Sequence, residues 1–164
     1  MLRAVRRFDG RPLEEAHLDA ILDAGRRAPS SNNDQTREFI VCTDRQHLVE
    51  LATLGDWTAH LEGAAAGIAV ITPDPEDPEE REIIAFDAGQ AVQNMLLAAW
   101  EMGIGGVHGS VYVEPRAREM LGYPAGRRCD LIMSFGYPAN PEALTRPRRP
   151  GRRPLAELVH LERW

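Results

Sequence analysis

Residues 28–35 read Ala-Pro-Ser-Ser-Asn-Asn-Asp-Gln, a run of small hydroxyl and amide side chains set between a helical pattern and a short apolar stretch. Such residues cap helices and turn the chain, because Ser, Asn and Asp bond their own neighbouring backbone. The same groups can also line a polar ligand. Composition alone favours the ordinary turn.

All nineteen basic residues are arginine and none is lysine. Schiff-base chemistry and the lysine of a phosphate-binding P-loop are therefore excluded. Coding bias is the simpler origin of the absence, but the exclusion holds either way. Any anion must be held by guanidinium forks, backbone N–H groups or hydroxyls. Arg3, Arg6 and Arg7 crowd the start of the chain, and Arg146, Arg148, Arg149, Arg152 and Arg153 crowd residues 146–153, while the net charge is −6. Basic clusters on an acidic chain suit one small phosphate better than a nucleic acid, so no nucleic acid is expected.

Cys42 and Cys129 are far apart, and His17, His47, His60, His108 and His160 show no ligand spacing. No disulfide and no metal site is expected. No apolar run approaches the roughly 20 residues of a membrane span. The first residues carry charge without an apolar stretch behind them, so the expectation is a cytoplasmic protein with no membrane partner.

At 164 residues the chain fits a single domain over 1–164 with a modest core, which an oligomer would enlarge. Residues 12–27 place Leu18, Ile21 and Leu22 at helical spacing, with acids early and arginines late. Strands are predicted at 38–43 and 66–72, with a helix over 44–54 capped by Thr43 or Asp44. Residues 72–80 read as an exposed, mobile acidic loop. The longest helical signal covers 82–102 and is apolar around most of its circumference, as for a helix inside a domain or at a dimer interface. It ends at Gly103-Ile104-Gly105-Gly106. Residues 107–113 are a strand or an extended loop, 114–122 a short helix, and 129–138 a buried strand. The glycines at 103–109 follow a helix instead of a strand, which argues against a dinucleotide fingerprint. Residues 138–154 should run as an extended arm, and the apolar end, Arg-Pro-Leu-Ala-Glu-Leu-Val-His-Leu-Glu-Arg-Trp, must dock on something. Trp100 reads as core. Trp57 is a pocket lid or a surface anchor.

Four segments, in order, resemble the nitroreductase family: Val-Arg-Arg-Phe-Asp-Gly-Arg-Pro-Leu at 5–13, the loop at 28–35, Asp-Ala-Gly-Gln-Ala-Val-Gln-Asn and its continuation at 87–106, and the closing run at 152–164. The resemblance covers nearly the whole chain. It implies an α+β three-layer α/β/α sandwich, a homodimer whose C-terminal arm (138–164) docks on the partner subunit, and FMN bound at the interface. It further implies a ping-pong oxidoreductase that takes hydride from NADH or NADPH and reduces nitroaromatics, quinones or similar electron-poor acceptors. Other flavin chemistry on the same fold (dehalogenation, ene reduction, flavin breakdown) and a non-enzymatic FMN-sequestering protein are the alternatives.

Carried over to this chain, Pro29, Ser30, Ser31 and Asn33 would line the isoalloxazine, and Arg6 would lie at its pyrimidine edge. Arg3 and Arg152 would approach the phosphate, Asp87 the ribityl hydroxyls, and the backbone around Gly109 and Ser110 flavin N5. His108 would sit beside the flavin face, either as a proton donor or as a packing and polar-contact residue. The sequence departs from the family in Leu2-Arg3-Ala4, where Arg-Arg-Ser is common. Arg148 or Arg149 would compensate, since Pro150 stands where a basic residue is usual. Gln35-Thr36-Arg37 replaces Gln-Pro-Trp, which changes the packing behind the loop.

Overall fold

A computed structural model describes residues 2–145 and 151–164. Arg146, Arg148, Arg149 and Pro150, with the compensating role expected of two of them, lie outside the described residues. In chain order the elements are α1 (Glu15–Arg26), β1 (Glu38–Cys42), α2 (Arg45–Leu51), β2 (Ala66–Pro73), α3 (Pro78–Glu101), β3 (Gly105–Ser110), α4 (Glu114–Leu121) and β4 (Arg127–Gly136). The four strands form one antiparallel sheet in the order β1-β2-β4-β3.

Alternation along β2 sets the layers. Ile68 and Val70 face one core with Ile21 of α1 and Ala88, Val92, Met95 and Ala99 of α3. Ala69 and Ile71 face the other, with Leu48 and Leu51 of α2, Leu61, and Ala117 of α4. Helices thus cover both faces. Gly25 lets α1 approach α3, because a Cβ there would fall 2.8 Å from the Met95 side chain.

Several element boundaries differ from the sequence reading for local reasons. α3 begins four residues earlier than 82, since Asp77 caps it by accepting from the Glu79 N–H at 3.0 Å and Pro78 occupies the first turn. The acidic run is also tethered: Asp74 accepts from Arg81 and from Arg128, each at 3.0 Å. Asp44, and not Thr43, caps α2 by accepting from the His47 N–H at 2.8 Å. The glycines at 105 and 106 belong to β3 rather than to the helix end. Trp100 is half-buried instead of core, and its indole N–H donates to the Leu144 carbonyl at 3.3 Å. It anchors a 3-10 turn at Pro141–Leu144 within the stretch expected to be extended.

α3 buries one stripe, from Ile84 through Asp87, Ala91 and Met95 to Ala99. Its opposite side leaves Ile83, Phe86 and Leu97 in solvent. Residues 151–164 are all exposed on the chain, and Trp164 is 99% exposed.

Candidate functional site

The residues expected to bind one cofactor fall into two groups. The first surrounds the loop after α1. Its backbone enters the left-handed region at Asn32, Asn33 and Gln35 (φ 49°, 60° and 51°), a conformation asparagine tolerates better than most residues. Ser31 to Asn33 make a single 3-10 turn. Three ties hold this shape. The Ser31 N–H donates to Asp87 Oδ2 at 2.9 Å, the Gln35 N–H donates to Ser30 Oγ at 3.0 Å, and the Arg37 guanidinium donates to the carbonyls of Ala28 and Pro29.

Asp87 is 6% exposed and lies in the third turn of α3. One oxygen is engaged by Ser31, and the other accepts from Gln90 Nε2 at 3.4 Å. Pro29, Ser30, Ser31, Ile83, Phe86 and Gln90 line a cavity of about 580 Å³ beside it. Asn33 is exposed at the outer side of the turn. The sequence marked Arg37 only as a departure; its role as the clamp behind the loop is visible only once Ala28 and Pro29 are seen to turn their carbonyls toward it.

The second group lies at the far edge of the sheet. The N-terminal segment joins the start of β3, where Ala4 bridges to Gly106 in parallel and the Val5 N–H donates to the Gly106 carbonyl at 3.1 Å, and continues past the end of β4, where the Asp9 N–H donates to the Tyr137 carbonyl at 2.9 Å. Val5 is buried, so its neighbours Ala4 and Arg6 point outward, and Arg6 is exposed while Arg3 is half-buried. A Cβ on Gly105 would lie 2.6 Å from Val5, which is why glycine stands there.

Parity along β3 follows from that anchor. Gly106 turns its carbonyl away from β4, so by ladder alternation His108 and Ser110 also present backbone groups to the open edge, whereas Gly109 faces β4. Of the pair expected at flavin N5, Ser110 is thus the residue whose backbone points outward. Gly109 is buried against the Trp57 carbonyl, 2.4 Å from where a Cβ would stand. His108 is exposed on the same strand, and Trp57 is 62% exposed nearby.

One buried group here escaped the sequence reading. His60 lies 3.0 Å (Nε2) from the same Cβ position on Gly109. Burial, and then the charge of Arg6, push its pKa down to about 4; the Trp57 backbone opposes this and His108 adds to it. No motif signalled it, because the groups around it come in large part from the N-terminal segment and β3.

β1 and β3 are the two edges of the sheet, roughly 14 Å apart at three intervals of about 4.8 Å. One subunit therefore brings Pro29, Ser30, Ser31 and Asp87 together, and separately brings Arg3, Arg6, His108, Gly109 and Ser110 together. Arg152 is exposed in the terminal segment and joins neither group through a hydrogen bond or ion pair among the described residues.

Known proteins share the fold of this chain. The model of the nitroreductase family matches residues 3–64 and 56–137, so the chain belongs to the nitroreductase family, a family of oxidoreductases. An NADPH-flavin oxidoreductase of Vibrio harveyi is 34% identical over 162 residues, which span 90% of this chain and 67% of that protein. The solved NADPH:FMN oxidoreductase of Vibrio harveyi in complex with NAD+ is 28% identical, with a TM-score of 0.81 over 99% of this chain and 74% of that one. An FMN-dependent nitroreductase of Clostridium difficile R20291 is 25% identical, with a TM-score of 0.83 over 99% of this chain and 96% of that one.

Proposed function

We propose that the protein is a homodimeric FMN-dependent NAD(P)H oxidoreductase that reduces nitroaromatics, quinones or related electron-poor acceptors. The observation that carries this reading is the loop at 28–35, pinned to Asp87 beside a cavity of about 580 Å³ whose lining mixes apolar side chains (Pro29, Ile83, Phe86) with hydroxyls, the Gln90 amide and the carboxylates of Glu82 and Asp87. A planar ring with a polar edge suits that lining. Family membership and the relatives named above support the cofactor class.

The donor set fits FMN. Arg3 and Arg6 offer guanidinium groups for a phosphate and for an electron-rich ring edge, and Ser110 offers outward backbone on β3. When bound, FMN would accept hydride from a reduced nicotinamide and pass electrons to the acceptor. The protein's part is to bind, orient and exclude water. Pro29, Ser30, Ser31 and Asn33 would pack on the ring. Arg6 would meet negative charge as it develops, a role in which a preorganised cation is most effective.

A dimer reconciles the two groups. If the loop of one subunit faces the β3 edge of another, a single ring can touch both. The apolar terminal segment, with Leu155, Leu158, Leu161 and Trp164 exposed, supports an arm that covers a second copy and brings Arg152 to a phosphate.

The test is the visible spectrum of freshly purified protein, with the released chromophore identified. Bound FMN, followed by oxidation of NADH or NADPH with a quinone or nitroaromatic acceptor, supports the reading. Bound FMN without turnover of any acceptor supports sequestration instead. Oxygen consumption with loss of flavin supports flavin breakdown. Colourless protein that takes up no added FMN overturns the proposal.

A further inference from the structure

His60 sits in the 3-10 turn at Ala59–Gly63 and is 7% exposed, yet neither ring nitrogen makes a well-aligned hydrogen bond among the described residues, the Trp57 backbone being the polar group that favours a proton on the ring. Buried polar groups nearly always find a partner, and one that does not has a cause. An apolar side chain of similar volume would fill the same space without leaving a ring nitrogen poorly paired.

The surroundings suggest what the imidazole is for. It presses with the Trp57 carbonyl against the buried side of Gly109, where a Cβ would stand 3.0 Å from Nε2 and 2.4 Å from that carbonyl. The charged or titratable groups that act on it are Arg6 from the N-terminal segment and His108 from β3. It thus lies behind the strand end whose open edge carries Ser110, within electrostatic reach of the guanidinium expected at the ring's electron-rich edge.

We propose that His60 is a positioning residue of the flavin site, backing Trp57 and Gly109 and completing its hydrogen bonding when the cofactor enters on the Arg6 side. The proposal rests on the FMN reading above. It makes His60 a group kept at some cost to the empty protein for the sake of the loaded one, a trade found at functional sites.

Full-length wild type, His60→Leu and His60→Gln are compared by FMN titration, by the midpoint potential of bound flavin, and by thermal melting of the flavin-free protein. Expected for His60→Leu are flavin-free melting at or above the wild-type temperature, an FMN dissociation constant raised about five- to tenfold, and a displaced potential. His60→Gln, which keeps a donor and an acceptor, is expected to recover most of the affinity. A leucine variant with unchanged affinity and potential overturns the proposal, and so does lost affinity that glutamine does not rescue. Wild type that binds no FMN removes the flavin reading and this proposal together, whereas equal binding by wild type and leucine variant removes only this one.

Discussion

The Ser31 N–H and Asp87 Oδ2 meet at 2.9 Å, joining residues 56 positions apart and locking the loop after α1 onto the buried stripe of α3. A carboxylate accepting a backbone N–H is a charge-assisted bond, stronger than a neutral one. Replacing Asp87 by alanine leaves the Ser31 N–H without its acceptor, at a cost of about 1–3 kcal/mol. Asp87→Ala should therefore lower the melting temperature and weaken FMN retention in parallel. Asp87→Asn, which keeps a carbonyl oxygen, should lose less of both. Flavin fluorescence on titration and a thermal melt measure the pair; a variant that melts early but binds FMN normally would separate Asp87 from the cofactor.

Arg37 holds the same loop from behind. It is 9% exposed, and its guanidinium bonds the Ala28 and Pro29 carbonyls. Arg37→Leu removes both bonds and strands two carbonyls, so amide exchange over residues 28–35 should quicken and stability should fall by about 1–3 kcal/mol. Hydrogen exchange read by mass spectrometry checks it. Unchanged exchange would mean that the left-handed turn at Asn32 and Asn33 holds itself.

Gly109→Ala probes the other edge. Its Cβ would meet the Trp57 carbonyl, a backbone atom that cannot rotate away, so strand or turn must shift. Overpacking of this kind costs about 1–3 kcal/mol. Denaturant unfolding should show that loss, with weaker FMN binding because Ser110 moves with its neighbour.

Acid should weaken the fold through His60. Its pKa is lowered to about 4 from 6.5, so the unfolded chain takes up the proton first as pH falls. The contribution is fully present above about pH 6.5 and is lost progressively down to about pH 4, amounting to about 1–3 kcal/mol. Asp9 and Asp23 belong to a lower window. The Arg11 backbone N–H holds Asp9 below the ordinary carboxylate value, and Arg27, with Arg26, does the same for Asp23. Unfolding by urea at pH 7 and pH 4.5 should differ more in wild type than in His60→Leu. Equal pH slopes would place the titrating group elsewhere.

Much of this was legible in the chain, and the omissions have physical reasons. Leu18, Ile21 and Leu22 announced α1, and the apolar run at 66–72 announced β2, because local periodicity encodes burial directly. The start of α3 was hidden because Asp77 and Pro78 are both a cap and a first turn, and also look like a proline-rich loop. The loop at 28–35 was recognisable as a segment, but its attachment to Asp87 and Arg37 depends on tertiary approach. So does the separation of Arg6 from Ser30. That separation follows from the strand order, in which β2 and β4 are neighbours although α3, β3 and α4 lie between them in sequence. His60 carried no signal at all, since its meaning comes from Gly109, Trp57 and Arg6 jointly.

The terminal segment gives the sharpest test of a dimer. Leu155, Leu161 and Trp164 are 74%, 85% and 99% exposed on the chain, a grouping of large apolar side chains that water disfavours. His160 stacks on Trp164 with ring centroids 4.1 Å apart, which gives the end of the segment a flat aromatic face. Burying such side chains is worth about 1.5–3 kcal/mol each. If a second copy covers them, deleting residues 151–164 should convert a dimer to a monomer in sedimentation and release FMN at the same time, because loop and β3 edge then no longer face one another. Arg152→Ala alone should leave the dimer intact and weaken FMN through its phosphate, with riboflavin binding unaffected. A deletion variant that stays dimeric and keeps its flavin would place the interface on α3, where Ile83, Phe86 and Leu97 are exposed, and would leave the terminal segment without a part in the site.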